Sequence, residues 1–212
     1  MKKSLKILLF IAFLLVLDQV VKVLIKTTLP LYGTIHIFDW FQISFTENPG
    51  MAFGITLGSK TVLTLFRLII SGLVLYYIIK LVKEDYKSSY IFCVSLIFAG
   101  AIGNIIDCLF YGLIFSESTP FQAAMLFPAG GGYGTFLNGR VVDMFYFPLF
   151  TFPSWLPFLG GEIFFSPVFN VADSFITMGI IVLILFFRKD FNQTFDNIFS
   201  KKTVKRQEHN RF

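Results

Sequence analysis

Histidine is almost missing from this sequence. His36 and His209 are the two present in 212 residues, and neither H-E-x-x-H nor G-x-S-x-G occurs. The signatures of a zinc-protease helix and of a serine-hydrolase nucleophile elbow are therefore lacking. Cysteine is as scarce: Cys93 and Cys108 fall on one predicted helix about four turns apart, too far to bridge each other. No disulfide framework is implied. Charged residues make up 15% of the chain against 55% hydrophobic, with a mean hydropathy of +0.72. A soluble domain of this size has no core large enough to hide that much apolar surface. The net charge of +5 does not point to nucleic acid, because the basic residues gather beside apolar runs, as they do on the cytoplasmic flanks of membrane spans.

Four of those runs reach the length of about 20 residues that a helix needs to cross hydrocarbon. They lie at 4–26, 61–82, 88–110 and 169–187. The first resembles a signal peptide at its start, but "LDQVVKV" stands where a small-residue cleavage site would fall, so it reads as a retained span. Lys2, Lys3 and Lys6 precede the first run, Lys80, Lys83 and Lys87 flank the link between the second and third, and Arg188 and Lys189 follow the fourth. Four spans put these clusters on one side, and the positive-inside rule makes it cytoplasmic, with both termini inside. Residues 1–190 then form a single membrane domain and 191–212 a basic cytoplasmic tail with the composition of a disordered segment.

The stretch from Met144 to Phe169 is apolar enough for a fifth span, but Pro148, Pro153, Pro157 and Pro167 would free backbone groups that lipid cannot satisfy. It is expected to lie along the outer surface, anchored by Trp155. In the first outer loop, the alternation of "IHIFDWFQISF" predicts a short strand or hairpin. The fold expected is an α-helical integral membrane protein with four transmembrane helices, a small extracytoplasmic β cradle and an extended outer-face insertion.

With histidine and cysteine set aside, the chemistry falls to carboxylates. Most acids belong to loops, where ordinary exposure explains them; Asp18, Asp107, Asp143 and Asp173 lie in or against apolar runs, where an acid is costly. Asp18 and Lys22 share a helix face at i,i+4 and can pair, as a brace or as part of a site. Asp107 sits at a helix C-terminal end, where the dipole disfavours an anion. It needs donors, and Asn104 on the same face is either a polar clamp or a substrate contact. Asp173 has a purely local explanation, since Asn170 and Asp173 have the spacing of an N-cap and its N3 acid. Asp143 and Asp173 are nevertheless both expected at the same outer depth. If they converge they would share one proton, one carboxyl serving as base toward a water and the other as acid toward a carbonyl.

Together "DQVVK" at 18–22, "ENPGMAFG" at 47–54, "GNIID" at 103–107, "VVD" at 141–143 and "FNVADS" at 169–174 resemble the bacterial lipoprotein signal peptidases, the signal peptidase II family. The resemblance implies an aspartic endopeptidase of the bacterial inner membrane that cuts diacylglyceryl-modified prolipoproteins just before the lipidated cysteine. It implies Asp143 and Asp173 as the dyad, no metal or other cofactor, and Asp18, Lys22, Asn48, Gly54, Asn104, Asp107 and Asn170 as residues that orient substrate or brace the dyad. Substrate lipoproteins and membrane lipids would be the partners, and a monomer would suffice. The chain departs from the family at Cys108, where an arginine usually follows "GNxxD", and Arg140 is the expected substitute cation. It also departs in length between Asp107 and Asp143 and again between Asp143 and Asp173, where "AGGGYG" reads as a hinge or a plain flexible loop. A proton-relaying transporter is the rival reading, and it would spread its acids through the membrane's depth. A lipoprotein-binding chaperone is a third, and it would tolerate loss of the acids.

Overall fold

The computed structural model describes residues 2–49 and 60–200. Gly54, most of the "NPGMAFG" segment and the final basic residues lie outside these.

Helix α1, Lys3–Thr28, buries Ile7, Leu14, Asp18, Lys22 and Lys26 on one face, while Leu8, Phe13, Val16 and Leu24 are exposed. That pattern is inverted relative to a water-soluble helix: polar groups face inward and apolar ones outward, as lipid as solvent requires. Helix α2, Lys60–Lys83, packs on α3, Ser88–Ile106. Helix α3 continues through a widened π turn, Asp107–Tyr111, into a short last turn α4, Gly112–Ile114. It is the most enclosed of the long helices, in contact with α1, α2 and α5, Val171–Phe186.

Small residues allow these close approaches. A Cβ on Gly100 would stand 2.3 Å from the Ala172 carbonyl oxygen of α5, and one on Gly103 would stand 2.6 Å from Asp18 Oδ2 of α1. At Gly100 the α3 backbone thus lies against that of α5, and at Gly103 it leaves room for the Asp18 carboxylate of α1.

Among the described residues, three helices are long and apolar enough to cross a membrane. The fourth run differs from the expected 169–187: α5 has 16 residues and turns by 90° into α6, Arg188–Phe195. It counts as a span only when the bent pair is taken together. The polar stretch expected to be disordered is therefore helical as far as 200, through a second π segment. Tyr77 and Tyr90 hydroxyls, 2.6 Å apart, both bond Thr194, and Ile198 joins the apolar cluster of Ile7, Ile78, Leu81 and Ile91. Tertiary packing overrides the polar composition of this segment.

At the other end the predicted hairpin is present, β1 Thr34–Phe38 against β2 Phe41–Asn48. A third antiparallel strand completes the sheet: β3, Val141–Tyr146, pairs with β2 so that Thr46 faces Asp143 and Asn48 faces Val141. The Met144 and Phe145 amides donate to the Phe169 carbonyl, 3.1 and 2.7 Å, which fastens the sheet to the segment leading into α5. The Phe- and Pro-rich stretch forms no span. It makes a small hairpin, β4 Phe150–Thr151 with β5 Ile163–Phe164, beyond which Trp155 and Phe158 are exposed.

The other insertion is held to the end of α3. The Gly134 and Gly139 amides donate to the carbonyls of Gly112 and Cys108, 2.8 and 2.9 Å. A Cβ on Gly132 would fall 2.1 Å from the Gly112 carbonyl oxygen. Close packing thus requires the glycine at 132, whereas a Cβ on Gly130 or Gly131 would meet nothing within 4 Å.

Candidate active site

Strand β3 alternates its side chains between two faces. Val142 and Met144 join an apolar cluster with Phe45, Tyr111 and Phe115, so Asp143 takes the opposite side, 4% exposed. Helix α5 begins beside it. Asn170 is the N-cap: its side-chain oxygen accepts from the Asp173 amide, 2.9 Å, and Asp173 Oδ2 accepts from the Asn170 amide, 3.3 Å. The local explanation for Asp173 is thus correct as far as it goes. The same Asn170 also donates through Nδ2 to Asp143 Oδ1, 2.6 Å, and Asn104 Nδ2 donates to Asp173 Oδ1, 2.8 Å. Two asparagines therefore link the two aspartates, and both acids line one cavity of about 1210 Å³.

Burial first, and then the charge of Asp173, push the Asp143 carboxyl up to about 7, against the opposing hydrogen bond from Asn170. Asp173 is differently placed, at the N3 position of α5, where its carboxylate oxygens accept from Asn104 Nδ2 and the Asn170 amide.

Beneath the pair lies a buried ionic triad. Lys22 Nζ donates to Asp18 Oδ2 at 3.0 Å, Asp107 Oδ2 at 2.9 Å and Asn104 Oδ1 at 2.9 Å. Asp18 Oδ1 accepts the Ala172 amide, 2.9 Å, which satisfies a second free N–H at the start of α5. Asp107 also accepts from Gln19 Nε2 at 3.0 Å and from the Val142 amide at 3.2 Å, so its donors come from α1 and from β3. Asp18, expected to lie deeper than the other acids, shares one network with them through the first turn of α5.

Arg140, the expected substitute for the arginine missing at 108, is not the cation that contacts Cys108 among the described residues. Its guanidinium is taken by Glu47 and Glu117, 2.9 and 2.6 Å, and lies over the Tyr133 ring. These carboxylates raise it above the usual arginine range against the lowering effect of burial. Glu47 in turn is held below the ordinary glutamate range, because Lys26, Ser118 and Arg140 outweigh the burial that raises it. The cation against Cys108 is Arg67 of α2, with its guanidinium 3.7 Å from the Cys108 Sγ, and it lines the cavity with Asn48, Asn104 and both aspartates.

Sequence reasoning missed Gln19, Lys26, Ser118 and Arg67. For Lys26 and Arg67 a signal was present, since each is a cation inside an apolar run. Gln19 carried none, being one polar residue beside a charged pair. Among the described residues there is no group of three or more His, Cys, Asp or Glu side chains able to hold a metal ion.

Comparisons agree on the class of protein. Residues 10–189 match the model of signal peptidase (SPase) II. The chain is 54% identical over 199 residues to a lipoprotein signal peptidase of Porphyromonas gingivalis, covering 92% of this chain and 86% of that one. It is 36% identical over 188 residues to one of Amoebophilus asiaticus, covering 84% and 75%. Among solved structures it is similar to a bacterial membrane enzyme solved by the in meso method at 2.3 Å, with a TM-score of 0.58 at 26% identity and coverage of 89% and 90% of the two chains. A second such structure at 1.9 Å gives a TM-score of 0.56 at 27% identity, with 85% and 90% covered. The chain belongs to the signal peptidase II family, the membrane proteases that remove signal peptides from lipoproteins.

Proposed function

We propose that the protein is an aspartic endopeptidase that cuts diacylglyceryl-modified prolipoproteins just before the lipidated cysteine, with Asp143 and Asp173 as its dyad. The observation that carries this reading is the bridge of Asn170 to Asp143 and Asn104 to Asp173 at the wall of one cavity. The dyad would hold one proton. The upward push on Asp143 favours the proton there, which leaves the role of base to Asp173.

Asp173 then takes a proton from a water whose oxygen attacks the scissile carbonyl carbon, while Asp143 gives its proton to the carbonyl oxygen. The neutral tetrahedral intermediate collapses as Asp173 passes its proton to the amide nitrogen and Asp143 recovers one from a hydroxyl. The C–N bond breaks, leaving a carboxylic acid on the signal peptide and a free amine on the lipidated cysteine. The triad of Asp18, Lys22 and Asp107 braces the strand and helix that present the two acids, with Asn48 on the cavity wall above them. The termini are assigned to the cytoplasm, the site to the outer edge of the bacterial inner membrane, and one chain suffices.

The test is cleavage of a diacylglyceryl prolipoprotein by purified protein in detergent, with Asp143→Asn, Asp173→Asn and a chelator-treated wild type in parallel. Cleavage that survives chelator and disappears in both variants supports the dyad. Normal cleavage by either variant removes it. Transport or binding that persists in both variants without cleavage by wild type turns the reading toward a transporter or chaperone.

A further inference from the structure

Arg67 is the one arginine in α2, set in the apolar stretch "TVLTLFRLIISGL". A guanidinium in a membrane span is costly and persists where its donors are used. It has five N–H donors, and a thiol sulfur is a weak acceptor. Yet its hydrogen-bond partner among the described residues is the Cys108 sulfur, and it forms no ion pair with any of them, in contrast to the buried Lys22 and Lys26. Among the described residues, no oxygen acceptor takes the remaining donors of Arg67.

Two spaces meet at this side chain. One is the cavity of the aspartates. The other is a groove of about 260 Å³ between α2 and the α3/α5 pair, with apolar walls from Phe66, Ile70, Ala101, Ile105 and Ile176, and Asn104 and Asp173 at the same groove. Phe66 and Ile70, and Ala101 and Ile105, are each spaced i,i+4, so the groove follows one face of each helix. An apolar helix lying along it would end beside Asp173.

On the peptidase reading, which this inference takes as given, the substrate supplies such a helix: the apolar part of a signal peptide, rising from the cytoplasmic side and ending near the scissile bond. The last four carbonyls of any helix lack intrahelical donors, and they sit at the negative end of its dipole. In hydrocarbon they have no water to turn to. We propose that Arg67 caps the C-terminal turn of the substrate's signal-peptide helix, donating to its free carbonyls and so fixing which peptide bond reaches Asp143 and Asp173. Arg67 is on this account a specificity-determining residue, and its partner is a backbone, which fits an enzyme acting on many signal sequences.

Those carbonyls do not change between bound substrate and transition state, so the contribution is to binding and falls on KM more than on kcat. The experiment uses the full chain in detergent with two synthetic diacylglyceryl lipopeptides. One has an all-amide backbone; in the other, one amide in the last helical turn of the signal segment is replaced by an ester, a weaker carbonyl acceptor, with the scissile amide intact. Arg67→Gln is expected to raise KM roughly tenfold, the loss of a charge-assisted hydrogen bond, with kcat within about twofold. The ester should raise KM several-fold for wild type and leave Arg67→Gln unaffected. A fall in kcat at unchanged KM, or an equal ester penalty in both enzymes, overturns the proposal. Should Arg67→Gln not fold, Arg67→Lys, which keeps the charge and loses the planar fork, carries the same comparison. Failure of the peptidase reading looks different: wild type would leave both lipopeptides uncut, and this inference would go with it.

Discussion

Asn170 donates to Asp143 at 2.6 Å while its carbonyl oxygen accepts the amide of Asp173 at 2.9 Å. One side chain is therefore both the cap of α5 and the link between two acids that are 30 positions apart in the chain.

These two roles can be separated. Asn170→Ser keeps an oxygen that caps a helix, so it should be more stable than Asn170→Ala by about 1 kcal/mol, while both lose the buried amide donor. Neither variant has an amide to give Asp143. Both should lose most of their cleavage activity, and thermal denaturation beside a cleavage assay distinguishes cap from link. Activity in Asn170→Ser close to wild type would show the link to be dispensable.

The raised Asp143 carboxyl predicts a pH dependence with a definite sign. Its folded value, about 7 against an ordinary 3.8, means the folded protein binds this proton more tightly than the unfolded one. Stability from this group is then fully present below about pH 4 and is lost as pH climbs toward 7, after which nothing further changes. Asp143→Asn removes the ionisation. The variant should melt higher than wild type at pH 8, with the difference fading toward pH 4, while wild-type cleavage declines on the alkaline side with a midpoint near 7. A melting difference that does not vary with pH would contradict the assignment.

Lys22 is the one cation shared by Asp18 and Asp107, all three fully enclosed. Lys22→Met leaves two carboxylates without their counter-ion, a loss of about 3–5 kcal/mol where a buried pair is broken on one side. Adding Asp107→Asn to that variant should restore part of the stability, because one buried charge is then gone. Denaturation of the single and double variants measures the coupling, and simple additivity would show that the triad does not act as a unit.

Much of this site can be read locally in the chain. Asp18 with Lys22, Asn104 with Asp107 and Asn170 with Asp173 are all three or four residues apart, and helix geometry brings such pairs together whatever the tertiary fold. The union of Asp143 with Asp173 is of another kind. It depends on β3 pairing with β2 and then on the Phe145–Phe169 bridge, contacts that no local period announces. The 90° turn at the end of α5 and the π turn at Asp107 were hidden for the same reason, since packing partners from elsewhere set them. Arg140 is close to Asp143 in sequence, but its guanidinium partners come from other parts of the chain. Placed just before β3, it pairs with Glu47 and Glu117.

The insertion between Asp107 and Asp143 has its own test, because two of its glycines make opposite predictions. At Gly139 a Cβ would lie 1.9 Å from the Asp107 carbonyl oxygen and 3.0 Å from the amide nitrogens of Tyr111 and Gly112, backbone atoms that no rotamer change can move aside. At Gly130 a Cβ would meet nothing within 4 Å. Gly139→Ala should therefore force the π turn away from its position and, through Asp107, loosen the Lys22 triad, with cleavage strongly reduced and the melting temperature lowered. Gly130→Ala should be within about 0.5 kcal/mol of wild type, the ordinary range for an exposed substitution. If the insertion were a free loop, as its glycine content alone suggests, the two changes would be equally silent; a deficit confined to position 139 identifies it as a fixed support behind Asp107.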